Sequence, residues 1–243
     1  MSDFITNKQL ILISGESTTG KSASLRNLRN PKKVMYLNCE SGKNLPFKND
    51  FRSFIITDPL QVYEAFSVAH NNPDFETIVT DTLTFLMDMY ESLYVLNSEN
   101  TMKAWGDFAQ FFKVMMQDYV ASTDKKVIFC AHTRSDLDEK SAEMRTSVPI
   151  KGSLKNNGIE AYFSTVVSTK RIQVKELKKY ENDLLHITED DEELGFKYVF
   201  QTRLTKSTVG ERIRSPMGMF SKAETYIDND AQLLLDHLHH YYN

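Results

Sequence analysis

Residues Gly15-Glu16-Ser17-Thr18-Thr19-Gly20-Lys21-Ser22 fit the pattern G-x-x-x-x-G-K-[ST]. No other stretch restricts the fold as strongly, because the pattern works only between a buried strand and the start of a helix. Both flanks are present: the apolar run Leu10-Ile11-Leu12-Ile13 precedes the motif, and Lys21 to Arg29 reads as helix until Pro31, whose ring cannot continue the hydrogen-bond ladder. Glycines in such a turn let backbone N–H groups face inward on phosphates, and a helix opening at Lys21 would add the positive end of its dipole. The phosphate-binding candidates are therefore Gly15, Glu16, Ser17, Thr18, Thr19, Gly20, Lys21, Ser22 and Ala23. Lys21 is expected to reach the β- and γ-phosphates, and the Ser22 hydroxyl to ligate Mg²⁺.

The rest of the first half alternates strand and helix, as a layered α/β fold requires. Strands are expected at Leu10–Ser14, Val34–Leu37, Phe54–Ile56, Thr77–Thr80 and Lys126–Ala131, with helices at Leu60–Ala69, Leu83–Leu96 and Met102–Val120. The strand cores are continuous apolar runs rather than alternating ones, which favours a parallel sheet buried on both faces. A chain of 243 residues is long enough for one such domain, expected to span 1–243 with a core over 8–220. The net charge of −4 rules out a general polycation, so any nucleic-acid contact has to come from local patches. Cys39 and Cys130 both end apolar runs and read as buried, unpaired thiols of a reducing, cytoplasmic protein. No signal-peptide pattern and no long apolar stretch is seen, so neither secretion nor a membrane span is expected.

The second half is less regular. Residues 133–158 are polar and read as a long loop, a length that is usually functional or disordered. Tyr162–Ser168 and Lys197–Leu204 read as strands. Between them, residues 181–195 form an acidic insertion, read as a solvated surface or, alternatively, a partner-docking segment. Residues 228–243 are expected to end the chain as a helix over Asn229–Tyr242, capped by Asp228 or Asn229.

Three strand ends carry polar residues suited to phosphoryl chemistry. Asp81 ends the fourth strand, where a carboxylate can hold Mg²⁺ together with Ser22. Glu40, directly after Cys39, could orient and deprotonate an attacking water. His132 ends the fifth strand, where it could hydrogen-bond a γ-phosphate and report its presence to the loop that follows.

Taken in order, Gly15–Ser22, Tyr36-Leu37-Asn38-Cys39-Glu40, Thr77-Ile78-Val79-Thr80-Asp81-Thr82 and Val127-Ile128-Phe129-Cys130-Ala131-His132 resemble the RecA-like P-loop ATPase core. His132 stands where RecA itself usually carries Gln. The short length, without large N- or C-terminal domains, resembles the compact phage nucleotide-binding proteins of that group, which are associated with single-strand annealing and homologous recombination. The resemblance implies a mostly parallel α/β sheet with antiparallel strands toward the C-terminus. It implies ATP and Mg²⁺ as cofactors, with Glu40 and Lys21 in catalysis and His132 as the phosphate sensor. It also implies single-stranded DNA as ligand, a ring or filament of identical subunits, a single-strand-binding protein as a candidate partner, and the host-cell cytoplasm as location.

In RecA-like proteins the loop after the sensor strand faces DNA, and here it carries Arg134, Lys140, Arg145, Lys151 and Lys155, whose charges could neutralise phosphates. Acids in the same loop oppose them, and aromatic residues suited to base stacking are few. Trp105 reads as packing rather than a stacking platform. The basic stretch holding Arg203, Lys206, Arg212 and Arg214 resembles the place where RecA-like subunits send a cation into the neighbour's ATP site, where it would stabilise charge on the transferring phosphoryl group; Lys206 is the first candidate and Arg214 the second. Other readings are a nucleotide-gated DNA-binding module with little turnover, a helicase or motor subunit, and a small-molecule kinase; the kinase lacks an Arg-rich lid between Asp81 and Ala131. Substituting Lys21→Ala should abolish the calorimetric heat of Mg-ATP binding; an unchanged titration would remove the phosphate site.

Overall fold

The computed structural model describes residues 7–139 and 142–243. The first half alternates as its apolar pattern demands: β1 (Leu10–Gly15), β2 (Val34–Asn38), β3 (Arg52–Ile55), α1 (Gln61–His70), β4 (Thr77–Asp81), α2 (Leu83–Tyr90), α3 (Thr101–Val114) and β5 (Lys126–His132). The second half holds β6 (Arg134–Asp138), β7 (Glu143–Ser147), α4 (Leu154–Asn157), β8 (Thr165–Gln173), α5 (Val174–Leu177), α6 (Glu189–Leu194), β9 (Phe196–Gln201), β10 (Tyr226–Asp228) and α7 (Ala231–Tyr242).

Eight strands form one sheet in the order β10-β9-β8-β1-β5-β4-β2-β3. Strands β3, β2, β4, β5, β1 and β8 run parallel, while β9 and β10 pair antiparallel at the far edge. This is the mostly parallel sheet with antiparallel strands toward the C-terminus that the resemblance implied. The buried, largely apolar strands sit centrally, and the exposed β3 closes an edge. One face is covered by α1, α2 and α3 through Phe66, Leu86, Phe108 and Phe112. The other is covered by the segment after the glycine-rich turn and by α7, through Leu25, Leu28, Leu234 and Leu238. Register then sets the functional edge: Gly15 pairs with His132, Asn38 with Asp81, and Asp81 with Cys130, so these strands end level with one another.

Several local expectations change. The segment after the turn is not a helix from Lys21 to Arg29 but a six-residue 3₁₀ stretch, Ser22–Asn27. The Ser24 hydroxyl donates to the Lys21 carbonyl at 2.6 Å, and the Ser24 amide reaches both Gly20 O and Lys21 O, which tightens the turn from i−4 toward i−3 bonding. So short a stretch has little aligned dipole, and phosphate attraction falls to the loop amides and Lys21. Residues 133–158 are not a plain loop, because β6 and β7 form an antiparallel hairpin. All but one of its cross-strand pairs are polar, the exception being the exposed Leu137 against Met144; the Ser135 and Thr146 hydroxyls lie 2.8 Å apart, and Arg145 meets Asp138 at 2.6 Å. A hairpin held by such pairs leaves no apolar run to read.

The acidic insertion is partly structure. Asn182 donates to the Tyr180, Ala223 and Tyr226 carbonyls, Leu185 is buried, and a Thr188–Asp191 capping box starts α6. The cap of α7 is Asp230, not Asp228 or Asn229: its carboxylate accepts from the Gln232 and Leu233 amides. Strand bounds move as well, with Phe54–Ile56, Tyr162–Ser168 and Lys197–Leu204 giving way to β3, β8 and β9. Cys39 and Cys130 are buried and unpaired, as expected. Among the described residues no helix is long and apolar enough to cross a membrane.

Because Asp230 also takes a hydrogen bond from Asn27, α7 is anchored to the segment that follows the glycine-rich turn. Asp230→Ala should cost about 1 kcal/mol of unfolding free energy in urea titration; a variant as stable as the parent would show that the cap is not used.

Candidate nucleotide site

The carboxyl ends of β1, β2, β4 and β5 open into a cavity of about 610 Å³. Ser17, Thr18, Gly20, Lys21, Ser22 and Ala23 line it, and Glu40, Asp81 and His132 complete it. The turn is held by close backbone approach. A Cβ at Gly15 would collide with the Thr169 hydroxyl, which itself lies 2.5 Å from the Thr19 hydroxyl. Gly20 sits at φ +98°, a conformation that side-chain-bearing residues rarely adopt, with the Asn229 amide against it. Lys21 is buried and its Nζ donates to the carbonyls of Gly15 at 3.0 Å and Glu16 at 2.7 Å. Burial lowers its pKa, opposed most by nearby Cys130 and Asp81.

Asp81 is 1% exposed. Its Oδ2 accepts from the Tyr36 hydroxyl at 2.9 Å, and its Oδ1 has no hydrogen-bond partner. Burial raises its pKa, while the nearby Ser22 and Tyr36 hydroxyls pull it back down. An orphaned carboxylate oxygen beside a serine hydroxyl is a hard-oxygen donor set suited to Mg²⁺. Ser22 and Asp81 therefore fit the metal-binding role drawn from the sequence.

Glu40 follows β2 at the mouth of the cavity, with its amide bonded to Asn38 Oδ1. The structure brings it to His132, whose Nε2 lies 3.5 Å from Glu40 Oε1, and to Lys43, whose Nζ donates to Oε2 at 2.8 Å. His132 first, and Lys43 with it, outweigh burial and hold the Glu40 carboxyl down at about 2. His132 is fixed from behind by its amide, which donates to Thr84 Oγ1 at 2.8 Å, and by an edge-to-face contact with Phe85. Asp81, Glu40 and His132, read separately from three strand ends, thus line one cavity with Lys21 and Ser22.

The cavity also contains residues the sequence reading passed over: Tyr36, Lys43, Tyr198, Asn229 and Arg26. Tyr36 and Lys43 had a signal. Tyr36, Asn38 and Glu40 alternate along one extended segment, and Lys43 is three residues past Glu40. Asn229 had none, since its amide reaches Gly20 O at 3.0 Å from a distant part of the chain. Asp191, assigned to a solvated insertion, lies at the cavity edge paired with Lys197 at 2.9 Å.

The basic residues divide. Arg134, Lys151 and Lys155 line a second cavity of about 500 Å³ between α2 and the segment after β7, together with Phe108 and Arg212. Arg134 is paired with Asp136 at 2.9 Å, Arg145 with Asp138, and Lys151 with Glu91 at 2.7 Å. Lys155 makes no ion pair among the described residues, and Lys140 lies outside them. Trp105 packs edge-on against Phe108. Lys206 is exposed on the Thr205–Thr208 turn and does not line the nucleotide cavity of its own chain, and Arg214 is tied by its backbone to Val166.

A glycine-turned loop with its lysine, opposite a buried aspartate at the end of a neighbouring parallel strand, is the working arrangement of a P-loop nucleotide-binding domain. The chain matches the family model described as AAA domain over residues 7–210, and it belongs to that family. No curated protein sequence matches it. Among solved structures, the flagellar accessory protein FlaH from Methanocaldococcus jannaschii is similar at 15% identity and a TM-score of 0.35, over 81% of this chain and 78% of that one.

Glu40 titrates ordinarily at 4.5 and is held near 2 in the folded chain. A carboxyl lowered by folding adds stability above its unfolded pKa and loses it as pH falls toward the folded value. The melting-temperature gap between the parent and Glu40→Gln should therefore narrow as pH drops from about 5 toward about 2. A gap that stays constant would mean that the pairing with His132 and Lys43 is absent.

Proposed function

We propose that this chain is an ATPase that binds single-stranded DNA and promotes annealing or strand pairing in phage homologous recombination. The observation that carries the reading is the shared wall between the two cavities. His132 lines the nucleotide cavity, Thr84 and Arg134 line the basic one, and a single hydrogen bond joins His132 to Thr84. A phosphate that drew His132 away from Glu40 would act within two residues on Arg134, at the start of the β6–β7 hairpin.

Each residue then has a task. Lys21 turns from its own loop carbonyls to the β- and γ-phosphates. Ser22 and Asp81 would hold Mg²⁺, which would neutralise charge on the triphosphate. Glu40, released by His132 and Lys43, orients the attacking water and takes its proton. Lys206, exposed and outside its own site, acts on a neighbouring subunit, so that a ring or filament completes the hydrolytic site. Arg134, Arg145 and Lys151 exchange their carboxylate partners for DNA phosphates, with Lys155 beside them. Exposed ion pairs are worth only about 0–1 kcal/mol, so a polyanion can displace them. Host cytoplasm and a single-strand-binding protein partner accord with this role. The observation that Glu40 is engaged by both His132 and Lys43 favours one second reading, a nucleotide-gated DNA-binding module with little turnover.

Phosphate release by the purified chain, with and without single-stranded DNA, separates the two. Stimulated release that falls about 100-fold or more in Glu40→Gln supports hydrolysis through Glu40, whereas parent-level release in that variant removes Glu40 from the chemistry. Fluorescence anisotropy on a single-stranded oligonucleotide should show log affinity falling linearly with log salt, the slope shrinking by about 0.7 in Lys155→Ala. Affinity indifferent to both salt and nucleotide would overturn the DNA reading.

A further inference from the structure

Tyr36 is among the side chains of the nucleotide cavity that have no assigned task. Tyr36 is 4% exposed on β2, on the sheet face that packs beneath the glycine-rich turn, among Ile13, Leu25 and Val79. Its ring lies 6.2 Å from that of Phe51. Packing alone would be served equally well by Phe, which has the same ring. The hydroxyl is what distinguishes this residue, and it donates to Asp81 Oδ2 at 2.9 Å.

That bond divides the carboxylate. The torsion that turns a carboxylate about its last bond is broad and two-fold, so an unrestrained Asp81 would present either oxygen. With Oδ2 occupied by a phenol fixed in the sheet, Oδ1 is the oxygen left without a partner. Neighbouring groups that hydrogen-bond a metal ligand commonly set its orientation, and their loss costs about 10–100-fold in metal affinity. We infer that Tyr36 is a positioning residue for the divalent cation: its phenol locks the Asp81 carboxylate so that Oδ1 is offered to the ion shared with Ser22. The inference rests on the Mg-nucleotide reading above and extends it to a residue that acts through Asp81.

The test uses the full chain, a non-hydrolysable ATP analogue, and Mn²⁺ followed by electron paramagnetic resonance. Tyr36→Phe should weaken Mn²⁺ binding to the nucleotide complex about 10-fold, while nucleotide binding in EDTA stays at the parent level. Phe51→Leu disturbs the same packing without touching the phenol and should leave Mn²⁺ affinity unchanged. Parent-like Mn²⁺ affinity in Tyr36→Phe would overturn the inference. So would an equal loss of nucleotide binding in EDTA, or an equal loss of Mn²⁺ affinity in Phe51→Leu. A parent chain that binds no Mn-nucleotide at all would instead overturn the nucleotide reading beneath it.

Discussion

Parallel pairing in one register is the constraint on which the rest of this molecule depends. Strands β2, β4, β5 and β1 lie side by side with Asn38 opposite Asp81, Asp81 opposite Cys130, and His132 opposite Gly15. Parallel strands cannot turn directly into one another, so each hands over to a crossover on a sheet face, and the polar residues at their carboxyl ends collect along one edge. A slip of one residue in any strand would invert its side chains and send Asp81 or Glu40 into the apolar layers. Burial of the interiors of the four strands resists that slip.

The charges gathered at that edge are incompletely matched, and the mismatch has chemical use. Lys21 is buried against main-chain carbonyls, Asp81 is buried with one oxygen unsatisfied, and Glu40 is held by His132 and Lys43. Unsatisfied buried polar groups are expensive and rare in folded proteins. Among the described residues, Asp81 Oδ1 and Asn229 Oδ1 are two such atoms on residues that line this cavity, where a triphosphate and its metal would supply missing partners. The same edge reaches the basic cavity through the His132–Thr84 bond, so two cavities meet at one strand end.

What could be read from residues follows the strength of the local signal. Continuous apolar runs marked β1, β2, β4 and β5, and the glycine-lysine-serine pattern marked the loop, because both are contiguous in the chain. The β6–β7 hairpin was read as loop because its strands are joined by polar cross-strand pairs, Arg145–Asp138 and Ser135–Thr146, with no apolar run to show them. The segment after Lys21 was read as helix because its composition allows one; the Ser24 hydroxyl, by binding the Lys21 carbonyl, wound it tighter. The acidic stretch looked solvated by charge alone, yet Asp191 reaches the nucleotide cavity by pairing with Lys197.

The chain by itself determined the phosphate-binding loop, the parallel character of the sheet, and the residue types at three strand ends, because each depends on neighbours a few positions away. Only the tertiary structure decided their partnerships: Glu40 with His132, Asp81 with Tyr36, and Gly20 with Asn229 from the far end of the chain. Those pairings depend on which strands lie adjacent and in what register. Sheet order is settled by the packing of whole faces, which no local pattern encodes.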